Sequence, residues 1–507
     1  MFNDENNKEV GSSNSRNNNS KGHNNNLQKN WMDDLSISND FITYKTTPDE
    51  EHFYSISFFR TLIMTEILQR EVLPFLTDDL SLQELKSKIP IQQLAITSDN
   101  DKIKSKLLHG YMAIQYRNDK SECLLVNIAN NFSRTIGPPL MESTTLGPQV
   151  GFVEDIDVNI NLIRKRLPIT DLLLKELEVG ELSKTRVAVI HLNGIADEDN
   201  LQTVIQRIND IQYDHISDSS YIASMISDNT SSVFPQSIST ERIDRAVAGL
   251  TEGKIVIVVD GSPNVVLTPA LIDETIIAME DYYVSWILAS FFRLLRIFGL
   301  MIAVFVTPAY VAVLTYHYEL IPPRLLESLI LSRASVPFPP IIEVLFLELT
   351  IELVKEAGLR LPSKIGQTLG IVGGIVIGQA VVEAKLTSNI LLILVGLGTL
   401  ASYTSAIYKF NNTIRFIRFP IVIMSQLMGL LGIMMGFIFL ITHLLKLTSL
   451  GRPYLGSYPY RKTALYDLWI RLPFYKQKKN PTNIRPNKRF RTTNDIKRPG
   501  PLSDFDE

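Results

Sequence analysis

Cysteine is almost missing from this chain: Cys123 stands alone among 507 residues, which excludes an intrachain disulfide and any cysteine-based metal cluster. Histidine is scarce as well. Its seven positions (23, 52, 109, 191, 215, 317 and 443) include no H-E-x-x-H and no i,i+4 pair, so no metal centre is expected and no cofactor is assigned. Neither G-x-x-x-x-G-K-[ST] nor a nucleophile elbow occurs, and the chain is read as a non-enzyme. The string GLGTLA (396–401) comes near G-x-G-x-x-A. It lies inside a long uncharged run with no strand before it, however, and is read as helix packing. No apolar segment stands near the N-terminus, so a cleavable secretory signal is not expected. The first hydrophobic run, from about residue 294, would itself serve as the insertion signal.

Long apolar runs are also lacking from residues 1–285, and that absence divides the chain. Residues 291–450 hold four uncharged or nearly uncharged stretches, Ile297–Tyr316, Ile365–Val382, Leu386–Tyr408 and Phe419–Thr442. A helix rises ~1.5 Å per residue, so ~18–25 apolar residues reach across a ~30 Å hydrocarbon core. The sequence therefore predicts a multidomain membrane protein. A cytoplasmic α/β N-terminal region of two subdomains is followed by an all-α transmembrane bundle of about four spans plus one interfacial or re-entrant helix. The expected divisions are a disordered asparagine-rich tail over 1–45, subdomains over 46–148 and 149–284, the transmembrane domain over 285–450 and a basic cytoplasmic tail over 451–507.

The net charge of −3 averages over strong local differences. Residues 1–30 include eleven asparagines and are too polar to bury a core. Residues 471–498 carry ten Lys/Arg against Asp495 alone, which beside membrane spans reads as an anchor on an anionic lipid surface. Phe474, Tyr475 and Phe490 are the aromatics of that stretch, and no recognition fold accompanies them, so nucleic acid is not an expected partner.

Within the soluble half, FYSISFFRTLIMTEILQREVLPFL (53–76) spaces its apolar residues as a helix does. Two β-rich runs flank a polar turn at Arg117–Ser121 in SKLLHGYMAIQYRNDKSECLLVNI (105–128), a hairpin pattern. A connector bearing Pro and Gly over 134–151 leads to FVEDIDVNINLIRKRLP (152–168). That stretch is an amphipathic helix with acids early and bases late, as the macrodipole favours. Strands are expected over 172–180 and 185–194, a helix over about 197–211, and a hairpin over 253–270 turning at Asp260-Gly261. The mixed charges of 239–254 read as a solvated helix face, and 271–296 as a helix leading into the membrane.

The stretch 337–384 combines apolar character with Glu343, Glu348, Glu352, Glu356 and Glu383. Over Pro339–Gly358, Glu348, Glu352 and Glu356 share one stripe about 80° wide on a helical wheel, with Glu343 opposite. A mid-bilayer carboxylate costs ~2.5–3.5 kcal/mol on insertion scales. This helix is therefore expected to lie in the interface or line an aqueous vestibule, where its acidic stripe attracts cations. Over Ile365–Val382, the residues Gly366, Gly370, Gly373 and Gly374, extended to Gly378, recur at the spacing that lets helices approach closely. The other face carries Thr368, Val372, Val376, Gln379 and Glu383. Those residues suit a pore wall, with the valines as a dry constriction and Gln379 and Glu383 at a wetter mouth. Buried helix packing explains the same composition equally well.

Arg293 and Arg296 before the first span and the basic tail all favour the cytoplasmic side. Both ends inside require an even number of spans, hence four. Lys409, Arg415 and Arg418 then fall outside, against the positive-inside rule.

The chain resembles the A subunits of the GerA-type spore germinant receptors of endospore-forming bacteria. The likeness is carried by GFVEDIDVNINLIRKRLP, DYYVSWILASFFRLLR, ELIP, VPFPPIIEVLFLELTIELVKEAGLRLP, IGQTLGIVGGIVIGQAVVEAKL and GRPYLGSY, between about residues 50 and 458. It departs at GPQVGF, which lacks the Arg-Glu expected before Gly151, and at Tyr318, where proline is usual. The resemblance implies a place in the lipid bilayer of the inner spore membrane, with the N-terminal region and tail cytoplasmic. It implies a transporter-like B subunit and a lipoprotein C subunit as partners, and a homo-oligomer, a pentamer. It further implies a complex that senses amino acids, sugars or nucleosides, in which the A subunits form an ion channel opened when the B subunit binds germinant. The alternative is a non-conducting signalling scaffold that relays binding to a separate channel. A secondary transporter finds little support, because no inverted repeat or pair of matched broken helices occurs.

Overall fold

The computed structural model describes residues 31–46, 54–76, 79–116, 122–130, 146–360, 378–456 and 469–474, together with 137–139, 142, 144, 374, 376, 477, 486 and 487. Two five-stranded sheets build the N-terminal half. The first contains β1 (Phe41–Lys45), β2 (Tyr54–Phe59), β3 (Leu94–Thr97), β4 (Tyr111–Tyr116) and β5 (Cys123–Asn127), in the order β1-β2-β4-β5-β3 with every pair antiparallel. Alternation along the strands sends Met112, Ile114, Leu124 and Val126 to one face, where helix α2 (Leu82–Lys88) covers them. Ala113, Cys123 and Leu125 turn to the other, under α1 (Trp31–Leu35) and α3 (Asn100–Leu107).

Two expectations are corrected here. Both faces of this sheet are covered, so Tyr54–Phe59, including Ser55 and Ser57, is buried along its whole length as a strand, and the helical character expected over 53–76 begins only beyond Phe59. The stretch 31–45, assigned to the disordered head, supplies α1 and β1, with Trp31 and Leu35 in the core.

The second sheet orders β6 (Leu172–Val179), β7 (Thr185–Leu192), β9 (Ile255–Val259), β10 (Val265–Thr268) and β8 (Ile238–Thr240), again antiparallel. Helices α4 (Ile156–Arg166) and α7 (Ile243–Glu252) cover one face, and α5 (Glu198–Asn209) and α6 (Ser219–Met225) the other. Gly261 takes the left-handed φ of +82° that the Asp-Gly turn between β9 and β10 requires. The charges of α7 are not the solvated face expected. Arg242 is buried and grips both oxygens of Asp244 at 2.9 and 2.6 Å, and Arg245 reaches Glu142 at 3.0 Å. The two sheet units are joined by Arg164 of α4. It is fully buried and donates to both oxygens of Asp40 at 2.7 and 2.6 Å and to Ser38 Oγ at 2.9 Å.

After two 3₁₀ turns, Ile272–Thr275 and Met279–Tyr282, the chain enters a helical bundle; the continuous helix expected over 271–296 begins only at Trp286. Its helices are α8 (Trp286–Tyr316), α9 (Pro323–Arg333), α10 (Pro340–Arg360), α11 (described at 374, 376 and 378–383), α12 (Asn389–Ser402), α13 (Tyr408–Met428) and α14 (Leu430–Lys446). Among the described residues α8 is the one helix that satisfies a membrane crossing by length and composition.

Contacts fix the direction of each. α8 leaves the sheets and ends with Tyr316 donating to Gln426 O at 2.8 Å. α12 returns, from Ser388 beside Tyr310 to Ser405, whose hydroxyl meets Thr275 O at 3.0 Å. α13 starts at the sheets, where Lys409 Nζ lies 3.0 Å from Ser239 Oγ and Thr413 donates to Val233 O at 2.6 Å. α14 comes back to place His443 Nε2 2.9 Å from Ser232 Oγ.

Two expectations about the bundle are therefore corrected. Phe419–Thr442 is not one span: the chain reverses at Gly429, with φ +61°, and α13 and α14 form a hairpin. Its helices touch at Gly432, where a Cβ would fall 1.9 Å from Met424 O. A hydropathy window passes over such a turn because glycine flanked by apolar residues leaves the average unchanged. Lys409, secondly, lies at the sheet end of the bundle rather than the far end.

Candidate functional site

α10 carries the acidic stripe, and it does not lie across an end of the bundle. It runs lengthwise, from Glu343, whose Oε2 accepts from Ser388 N at 3.4 Å at the far end, to Lys355, 3.4 Å from Asn412 Oδ1 near the sheets. Antiparallel packing on α13 sets the glutamates against arginines three residues apart. Glu348 Oε1 accepts from Arg418 Nη1 at 2.6 Å, with both side chains buried, and Glu352 lies 3.5 Å from Arg415. Glu356, on the exposed last turn, pairs with Arg360 at 2.7 Å. Glu343, on the other side of the helix, is equally buried and is held by Arg333 at 2.8 Å.

The acidic stripe is expected to attract cations from an interface or an aqueous vestibule; in the structure each acid on α10 named above faces a guanidinium. A buried charge in apolar surroundings is tolerated when it is paired and hydrogen-bonded. Room for the central pair comes from Gly398, where a Cβ would lie 3.4 Å from Arg418 Nη1 and 3.0 Å from Val306 Cγ1. The GLGTLA string thus packs helices, and its small residue admits the guanidinium.

α11 shows little of the glycine face. Gly366, Gly370 and Gly373, like Thr368 and Val372, lie outside the described residues. Among the described residues a Cβ on Gly374 would meet nothing within 4 Å and one on Gly378 only Leu392 at 3.8 Å. Val381 turns into the bundle core. Val376, 56% exposed, together with Gln379 and Glu383, turns away from it.

Besides the contacts of α12–α14 with the sheets given above, two charged clusters fasten the sheets to the bundle. Asp281, buried in the turn before α8, accepts from Arg293 Nε at 3.0 Å and from Arg296 at 2.7 and 2.8 Å. Beyond α14 the chain forms a short hairpin, β11 (Thr448–Ser449) with β12 (Arg452–Pro453), which docks on the second sheet unit. Arg452 reaches Asp197 at 3.0 Å and Asn200 at 2.9 Å, while Asp228 accepts from Thr448, from Gly451 N at 2.8 Å and from Arg207 at 2.5 Å. Burial pushes the Asp228 carboxyl up, but the hydrogen bonds from Thr448 and Gly451, with Arg207, outweigh it and hold the group below the ordinary carboxylate value.

A carboxyl depressed on folding stabilises fully above its unfolded pKa and loses that contribution as pH falls through its folded value. Asp228→Asn is expected to weaken the docked hairpin by about 1.5–3 kcal/mol near neutrality, the usual worth of a hydrogen bond to a charged group. Thermal unfolding of the detergent-solubilised chain across pH would show the gap between variant and parent closing below about pH 4.

The described residues thus define a class: a two-sheet α/β region keyed through ion pairs and a hairpin to a bundle of lengthwise apolar helices with charge-paired interiors. The chain belongs to the Bacillus/Clostridium GerA spore germination protein family, whose description matches residues 27–483. It is 51% identical over 447 residues to spore germination protein GerIA of Bacillus cereus, covering 88% of this chain and 67% of that one. To spore germination protein GerQA of Bacillus cereus it is 49% identical over 460 residues, covering 90% and 92%. With the uncharacterized membrane protein YfkQ of Bacillus subtilis (strain 168) it shares 36% over 433 residues, 84% of either chain.

Sequence reasoning missed Arg415 and Arg418 as the partners of the stripe. A signal was available: RFIR sets two arginines three apart in an apolar helix, nearly matching the four-residue spacing of Glu348 and Glu352.

Proposed function

We propose that this chain is the membrane-embedded A subunit of a nutrient germinant receptor, and that its copies assemble, as a pentamer, into an ion channel gated through a transporter-like B subunit, with a lipoprotein C subunit completing the complex. The family membership carries the germination role. The bundle supports the membrane placement: its outer surface exposes large apolar side chains such as Leu400, Leu431 and Phe439, the last at 79%, a surface suited to lipid and costly in water. Five of the described helices, α8, α10 and α12–α14, run between its two ends. The sheets and the start of the basic tail, where Arg471 donates to Val284 O at 2.5 Å, lie at the same end, which we assign to the cytoplasmic side. The inner spore membrane is the location that the family's role implies.

The pore reading rests on α11. Val376, Gln379 and Glu383 face away from their own bundle, where a central axis shared by several copies would meet them. Thr368 and Val372 extend the same face by helical spacing. Charge pairing on α10 leaves cation attraction to the mouth residue Glu383, with Glu356 at the exposed end of the stripe.

Val376→Ala widens a dry constriction and is expected to give germination without nutrient. The purified chain in liposomes should carry cation current, larger and less dependent on partner subunits in the variant. Unchanged basal germination together with silent liposomes would favour a non-conducting scaffold.

A further inference from the structure

A groove of about 300 Å³ opens between the last turns of α10 and the first three turns of α13. Lys355, Tyr408 and Asn412 line its sheet end with Glu356 and Leu359, the Glu352–Arg415 pair follows, and Phe416 and Phe419 form its aromatic wall. The sheet end is level with the start of α13, one turn from the Lys409–Ser239 contact that marks the sheet side of the bundle. At ~1.5 Å per residue, Phe416 and Phe419 stand ~6–10 Å further from the sheets than Asn412. The aromatic wall of the groove thus lies on the side away from the sheets.

Both of its carboxylates are paired with guanidiniums. Glu352 is matched by Arg415 at 3.5 Å and Glu356 by Arg360 at 2.7 Å. Lys355 meets no carboxylate among the described residues. Its ammonium lies 3.4 Å from the Asn412 amide oxygen and stands over the rings of Tyr403 and Tyr408, with centroids at 5.5 and 5.9 Å. An ammonium has three donors, and one amide acceptor leaves most of that capacity unspent. One unmatched cation, flanked by two tyrosines at the sheet end of an aromatic-walled groove, is the complement of a phosphate diester attached to an acyl chain.

We propose that this groove binds an anionic phospholipid of the leaflet adjoining the sheets, with the phosphate on Lys355 and the first acyl carbons along Phe416 and Phe419. The site rests on the membrane placement given above. A lipid seated there bridges α10 and α13 outside the buried Glu348–Arg418 pair, so bilayer composition would bear on the packing of those two helices.

The test uses the full chain purified in detergent and probed by native mass spectrometry with phosphatidylglycerol, phosphatidylcholine or glycerol phosphate. Phosphatidylglycerol should be retained over phosphatidylcholine, and glycerol phosphate should not compete at equal concentration. Lys355→Gln should reduce phosphatidylglycerol retention roughly five-fold, the size of one lysine's attraction to an anionic surface. Lys446→Gln, at the sheet end of α14, should leave it unchanged. Equal retention of the two lipids, an unaffected Lys355→Gln, or competition by glycerol phosphate would each overturn the proposal. Failure of the membrane placement has a different signature: the chain would stay soluble and monodisperse without detergent.

Discussion

Arg418→Ala should all but abolish accumulation of the full-length chain. Removing the guanidinium leaves the Glu348 carboxylate, buried and accepting at 2.6 Å in the parent, without its cation in an apolar bundle. Breaking one side of a buried ion pair costs about 3–5 kcal/mol, a large fraction of the stability of most domains. Immunoblots of membranes from sporulating cells, and thermal unfolding of whatever is recovered, would measure the loss. The informative companion is the double variant Glu348→Met/Arg418→Met. Removing both charges takes away the attraction and the desolvation cost together, and such replacements are often neutral or stabilising. Recovery of the double variant toward parent levels is the expected result. Equal depletion of single and double variants would mean that the helix packing around the pair, rather than its charge balance, holds α10 on α13.

That experiment also marks where the sequence stopped being legible. Local rules served well in the second sheet unit. The strands over 172–180 and 185–194, the hairpin at Asp260-Gly261 and the helix capped at Asp197 all occur, because turn chemistry and alternation act over a few residues. Hydropathy likewise placed the first apolar helix. The acids of α10 were different. Read alone, Glu348 and Glu352 argued against burial, and what reverses the argument stands on a helix about 65 residues later, so no local window contains both terms. The reversal at Gly429 was hidden for another reason: a tight turn between two apolar helices needs only one residue with positive φ, and its signal is a single glycine among several. Of the proposed pore face, composition identified the residues, but the direction they face depends on how α11 packs on α12, which periodicity alone does not determine.

Asp281→Ala should uncouple the sheets from the bundle even where the chain still reaches the membrane. The carboxylate is the shared acceptor for Arg293 and Arg296, and it also caps the 3₁₀ turn through Ala278 N at 3.3 Å. Arg293 is fully buried and stacks at 5.7 Å over Tyr282, which also receives the guanidinium of Arg471 at 5.4 Å. One substitution therefore removes the carboxylate that two cations share at the first turns of α8, with Arg296 keeping Ile276 O at 2.9 Å, and loss of a buried partner of this kind costs about 3–5 kcal/mol. Unlike Arg418, this cluster sits where the sheet region hands over to the helices, so the strain is relieved by opening the junction rather than by unfolding the bundle. The expected result is a chain cut by protease between residues 276 and 286 at concentrations that leave the parent intact, together with loss of the nutrient response. Asp281→Asn, which keeps the shape and one acceptor oxygen but drops the charge, should fall between the two. If Asp281→Ala resists protease as the parent does and its spores respond to nutrient normally, the sheet region is held by its other contacts with the bundle, the Thr448–Pro453 hairpin among them. Asp228→Asn would then become the more damaging change.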